Sequence, residues 1–183
     1  YLKDSTDYFL SRISVSMFTS SNVFVLGMFV NMTTVGYFSV AEKLYNAIRS
    51  LFGPVSTTLY PYISSKKNVS LYKKVFSLIF VVNIILVSFL FHYAPLIIEV
   101  VSGEKMNMSI NVFRIFMVFC IFTVPSSLLG YSFLAALGFK SYANYSVIIA
   151  SAFHVTGLFL LSLFDQVTVF NIVYMIAFSE SIV

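Results

Sequence analysis

The stretch VFSLIFVVNIILVSFLFHYAPLII, residues 75–98, contains no Asp, Glu, Lys or Arg in 24 positions. At about 1.5 Å per residue, a helix of that length runs roughly 36 Å, longer than the about 30 Å hydrocarbon core of a bilayer. The apolar residues run on without the polar alternation of a half-buried strand. They fit one solvent, lipid, and the rest of the chain is read outward from this segment.

The whole sequence repeats the pattern. Of 183 residues, 59% are hydrophobic and 10% are charged, and the mean hydropathy is +0.93. A soluble domain carries about 25% charged residues to cover its surface, so this chain has too few to coat a water-facing globule. Five further segments of spanning length are expected, at 9–30, 35–63, 113–138 (charge-free from Ile115 onward), 141–164 and 166–183. Loops are short, the longest being 64–74 and 99–110, and leave no room for a soluble domain. The fold class expected is therefore an all-α membrane protein, a bundle of six transmembrane helices forming residues 1–183 as one unit. GxxxG does not occur, so helix contacts must rest on scattered Ser, Ala, Thr and Gly. The sequence begins at Tyr1 without a basic n-region and ends at Val183 inside an apolar segment. A piece of a longer protein is expected.

Charge placement supports six spans. Short cytoplasmic loops collect Lys and Arg. With six alternating helices one side holds Lys3, Lys66, Lys67, Lys73, Lys74 and Lys140, with Arg12 nearby. The other holds Lys105 with Glu99, Glu104 and Asp165, and Arg114 nearby. KKNVSLYKK (66–74) is then cytoplasmic, and the net charge of +4 is a topology signal that does not call for nucleic acid.

Residues 35–64 read VGYFSVAEKLYNAIRSLFGPVSTTLYPYIS. Glu42, Tyr45, Asn46, Arg49 and Gly53 recur at helical spacing and share a face, with Lys43 about 100° away. An Arg near mid-span costs about 2.5–3.5 kcal/mol on insertion scales, so the stripe is expected to face a wet cavity or a partner helix. Two readings stay open: an ion pair of Arg49 with an acid such as Glu42 that serves packing, or a cationic contact for an anionic substrate. A guanidinium suits bidentate phosphate binding. Pro54 and Pro61 each remove a backbone donor and loosen the segment towards its cytoplasmic end.

VGYFSVAEK (35–43), followed by Pro54 and LYPYIS (59–64), resembles the second helix of the C-terminal lobe of Wzx-type O-antigen flippases. These polysaccharide transporters belong to the multidrug/oligosaccharidyl-lipid/polysaccharide (MOP) superfamily. DSTDYFLSRISVSMFTSSNVFVLGMF (4–29) is similar to that lobe's first helix. The resemblance implies one six-helix lobe of a two-lobed, twelve-helix transporter, with the N-terminal lobe absent. It implies a multi-pass protein of the bacterial inner membrane, a flippase in lipopolysaccharide and polysaccharide biosynthesis. Such proteins carry undecaprenyl-pyrophosphate-linked repeat units from the cytoplasmic to the periplasmic leaflet by alternating access. Partners implied are the lipid-linked oligosaccharide, membrane lipids and other polysaccharide assembly proteins; no nucleic acid and no cofactor are implied. Carried onto this sequence, Glu42, Lys43 and Arg49 are the charged stripe facing the cavity, with Tyr45 and Asn46 beside them.

Elsewhere, the first span is dense in hydroxyls and amide (Ser11, Ser14, Ser16, Thr19, Ser20, Ser21, Asn22), as fits helix packing or a sugar pathway. Arg12 is expected to snorkel to the interface. His154, in mid-span, is either a proton relay or a hydrogen-bonded residue between helices. Asn83 and Asn144 are expected to be interhelical hydrogen-bond donors, and His92 interfacial. The single Cys120 forms no zinc or disulfide framework, and no metal site is expected. Without GxSxG, HExxH, paired Asp or a glycine-rich phosphate loop, an enzyme is not expected. The alternatives are a multidrug/cation antiporter of the same superfamily, which would favour acidic cavity residues, and a membrane-embedded O-antigen polymerase or glycosyltransferase, which would need a sizeable loop. A purely structural helical subunit is a further reading.

Overall fold

Asn68 decides where the helix holding residues 75–92 begins. Its side-chain oxygen accepts from the Leu71 amide at 3.0 Å, capping a helix that opens at Val69. The computed structural model describes residue 9 and residues 21–182, and among them every regular element is helical. Residues 21–29 are α1. There follow α2 (Met32–Ser50), α3 (Gly53–Lys66), α4 (Val69–His92), α5 (Ala94–Ser102) and α6 (Asn107–Ser127), which runs on as a π-helix over Leu128–Ala135. The chain continues with α7 (Lys140–Leu163) and α8 (Val169–Ile182). Among the described residues three helices are long and apolar enough to cross a membrane, Val69–His92, Asn107–Ala135 and Lys140–Leu163, while Val169–Ile182 is a shorter apolar helix. Their outward faces carry bare apolar side chains, such as Ile85 at 64% and Phe159 at 65% exposure, which water would penalise and lipid does not.

Two expected segments are cut differently. The stretch 35–63 is not one rod: α2 stops at Ser50 and α3 starts at Gly53 with Pro54 in its first turn. Pro54 has no N–H to continue the ladder, and its ring disfavours a helical residue before it. Residues 75–98 divide at Tyr93, because Pro95 opens α5. Pro95 cannot donate to the Phe91 carbonyl four residues back. Arg114 on α6 reaches it instead, Nε to oxygen at 3.4 Å, with the guanidinium carbon 5.4 Å from the Phe91 ring centroid. The loop expected over 64–74 shrinks to a tight turn. Lys67 closes α3 in the left-handed region (φ 47°), its N–H bonded to the Ile63 carbonyl, and Lys73 and Lys74 already belong to α4.

The chain divides into two compact units, one of Tyr1–Val35 with Lys140–Val183, the other Gly36–Phe139. In the second, α6 is the central helix: Phe113, Phe116, Met117 and Cys120 are at most 1% exposed. Asn83 on α4 donates to the Cys120 carbonyl at 3.1 Å, an interhelical bond of the kind its position in an apolar span requires. At the α3–α4 corner, Ile63, Tyr72 and Ala136 are buried under Tyr60, Tyr62, Phe76, Phe133 and Leu137, and Tyr72 stacks on Phe133 at 4.2 Å. In the first unit, α7 and α8 approach where Gly157 lacks a side chain: a Cβ there would collide with the end of Met175.

Candidate functional site

The face of α2 is set by what its aromatic residues bury. Phe38, Ala41 and Tyr45, spaced three and four apart, are at most 2% exposed. Tyr45 stacks on Phe116 of α6 with centroids 4.7 Å apart, and its hydroxyl meets the Thr123 hydroxyl at 3.2 Å. Ser109 of α6 donates to the Tyr37 carbonyl at 2.7 Å. The helix is thus pinned to α6 at two levels, and its rotation about its own axis is fixed.

That rotation sorts the charged stripe. Tyr45 is turned into the protein and anchors α2; it does not face an open cavity within this unit. Glu42 and Arg49 lie at the edge of the buried face and are half-buried, while Lys43 and Asn46 are exposed. The Arg49 guanidinium carbon sits 5.3 Å from the Tyr45 ring centroid, a distance at which a cation is attracted by the face of the ring. Gly53 no longer extends the stripe, because the helix ends first.

Arg49 also changes place along the segment. It lies in the last turn of α2, beside the break at 51–52, and not in the middle of a continuous helix. Carbonyls at a helix C-terminus carry partial negative charge that favours a cation there. Beyond the break, α3 begins with Gly53 and Pro54, so the first-turn amides of α3 lie within a few residues of the guanidinium in sequence. Where a helix is interrupted inside a membrane, irregular backbone is tolerated only where it is buried in protein or lines water. Chemically, Arg49 offers a planar cation with several donors, Glu42 an acceptor seven residues earlier on the same edge, and Lys43 and Asn46 outward polar groups. None of these is a nucleophile–base pair.

His154, the sequence candidate for a proton relay, belongs to the other unit. It is fully buried, with Nδ1 2.8 Å from the Ser179 hydroxyl of α8 and Nε2 2.7 Å from the Asn22 side-chain oxygen of α1. Ser179 in turn donates to the main chain at Met175. In the sequence Asn22 is one polar residue in a hydroxyl-rich span, and Ser179 is a serine in an apolar one. Nothing in their spacing shows that three helices bring them together; the signal was only that each is polar inside an apolar segment. Among the described residues no His, Cys, Asp or Glu cluster suits a metal. Lys3, Ser11, Arg12, Ser14, Ser16, Thr19 and Ser20 lie outside the described residues.

One comparison with known proteins covers the part of the chain that holds this helix. Residues 1–67 match the family described as "Polysaccharide biosynthesis protein". A protein of Escherichia coli (strain K12) named "Putative O-antigen transporter" is 34% identical over 64 residues, which is 35% of this chain and 15% of that relative's length. The matched stretch is thus a small part of that relative. No solved structure matches.

Proposed function

We propose that this chain is the C-terminal half of a flippase of the bacterial inner membrane. It moves undecaprenyl-pyrophosphate-linked O-antigen or other polysaccharide repeat units from the cytoplasmic to the periplasmic leaflet by alternating access. The observation that carries the reading is Arg49: a half-buried guanidinium at a break in the second helix, inside the stretch that matches the polysaccharide biosynthesis family. The apolar helices and the similarity to the Escherichia coli protein support a membrane transporter; the direction and mechanism of transport are part of the proposal.

In this account Tyr45 positions α2 against α6, so that Glu42 and Arg49 emerge at the edge of the buried face. Arg49 takes a carrier phosphate through paired N–H donors, the geometry that distinguishes a guanidinium from an ammonium. Glu42 keeps the cation extended when no substrate is present, and Lys43 and Asn46 offer polar contacts to sugar hydroxyls. Translocation makes and breaks no covalent bond, so no catalytic residue is assigned. The break at 51–52 is where the segment bends between inward- and outward-open forms.

Complementation tests the reading. Full-length protein carrying Arg49→Ala, shown to be in the membrane, is expected to restore less than about a tenth of the surface polysaccharide in a flippase-null strain, from the loss of a buried charge-assisted contact. Arg49→Lys is expected to restore an intermediate level. Wild-type polysaccharide from the alanine variant would remove Arg49 from the mechanism.

A further inference from the structure

Between Glu42 and Glu99 the sequence has no acidic residue but holds six basic ones: Lys43, Arg49, Lys66, Lys67, Lys73 and Lys74. Four of these gather at the α3–α4 corner, and all four are exposed. Lys66 is the last residue of α3, its ammonium 4.9 Å from the centre of the Tyr62 ring. Lys67 forms the turn. Lys73 and Lys74 are the fifth and sixth residues of α4, held on a helix whose start Asn68 fixes.

What lies beneath them gives the patch its meaning. Lys73, Lys74, Ser77, Leu78 and Val81 line one shallow hollow on α4. Its upper end is two ammonium groups and a hydroxyl. One turn down are Leu78, 63% exposed, and Val81, 50% exposed; Ile85, 64% exposed, carries the apolar face on by another turn. Residues 74, 78, 81 and 85 recur at three- and four-residue spacing, so cation and apolar stripe share one side of a helix apolar enough to cross a membrane. A topology signal needs only the charges. The continuous bare stripe under them asks for a ligand that is anionic at one end and hydrocarbon along its length.

We infer that the face Lys73–Lys74–Ser77–Leu78–Val81 docks an anionic phospholipid, the phosphate headgroup held between the two ammonium groups and an acyl chain lying along Leu78, Val81 and Ile85. Lys66 and Lys67 add to the field around it. Basic clusters next to a membrane span attract anionic lipid at short range and are screened by salt. A nucleic-acid partner would match the lysines alone and leave the stripe below unexplained.

The test uses the full-length protein reconstituted at low salt with spin-labelled phosphatidylglycerol or spin-labelled phosphatidylcholine, reading the fraction of motionally restricted label. The wild type is expected to prefer phosphatidylglycerol about fivefold or more. Lys73→Gln/Lys74→Gln is expected to bring the ratio close to unity. The milder Lys74→Gln, which serves if the pair fails to fold, is expected to lower it about twofold or more. Lys73→Arg/Lys74→Arg and the charge-matched Lys105→Gln/Lys140→Gln are expected to keep the preference. A wild-type ratio near unity would overturn the inference. So would an equal loss from Lys105→Gln/Lys140→Gln, which would mean net charge alone. Loss of the preference when inorganic phosphate replaces chloride at equal ionic strength would assign the site to a soluble anion and overturn it as well.

Discussion

His154 has a hydrogen-bond partner at each ring nitrogen, Ser179 at 2.8 Å and Asn22 at 2.7 Å, and that pairing is what makes a histidine tolerable at full burial in an apolar helix. His154→Leu takes the ring away from two polar side chains and is expected to cost about 1–3 kcal/mol, whereas Ser179→Ala, which removes a hydroxyl that meets the ring and also donates to the main chain of its own helix, is expected to cost about 1 kcal/mol. Thermal denaturation in detergent checks both. His154→Gln, which keeps donor and acceptor, is expected to transport at the wild-type rate; a folded but inactive glutamine variant would give the ring a proton-carrying role. Tyr72 presents the opposite case. Its hydroxyl is buried and without a hydrogen-bond partner, and an unsatisfied buried hydroxyl costs stability that phenylalanine does not. Tyr72→Phe is expected to raise stability by about 1 kcal/mol in the same measurement. At this scale the sequence showed which polar residues sit in apolar surroundings, but not which ones meet. Asn22, His154 and Ser179 lie on three helices, and only packing brings them within hydrogen-bond reach.

Helix ends were the less legible part of the elements. Long apolar runs announce α4, α6 and α7, because in lipid only a helix lets a single segment satisfy its own backbone groups. Where those helices begin and stop depends on single residues that hydropathy ignores. Asn68 starts α4 early enough to take in Lys73 and Lys74, and Pro95 divides its far end, where Arg114 satisfies the freed Phe91 carbonyl. Both Pro54 and Pro61 lack an N–H, yet the structure breaks the segment only ahead of Pro54 and carries Pro61 inside α3. Gly53→Ala/Pro54→Ala restores a donor and two good helix formers. It is expected to join α2 to α3, raise helix content by circular dichroism, and lower transport in the complementation assay while membrane abundance stays at the wild-type level. Unchanged transport with a joined helix would show that the break has no part in translocation.

Taken whole, the molecule assigns different tasks to its two units. The unit built on α6 fixes the rotation of α2 through Tyr45 and Phe116 and so decides which polar groups emerge. In the unit that holds α7 and α8, His154 bonds across to Ser179 and Gly157 gives room to Met175. The helical, membrane-type character of the chain was legible because too few charged residues remain to cover a soluble surface. The charged stripe was legible from its spacing, but not its division into a buried anchor and an exposed edge, since that depends on α6, about 70 residues further along the chain. In the proposed function the edge carrying Arg49 borders an aqueous path to a phosphate. Cysteine accessibility in the full-length protein tests it most directly, with Cys120 replaced by Ser and Asn46→Cys placed on the exposed side of α2 next to Arg49. Position 46 is expected to react with a charged, membrane-impermeant thiol reagent and to be protected by the lipid-linked oligosaccharide. A position 46 sealed from aqueous reagent with or without substrate would contradict it.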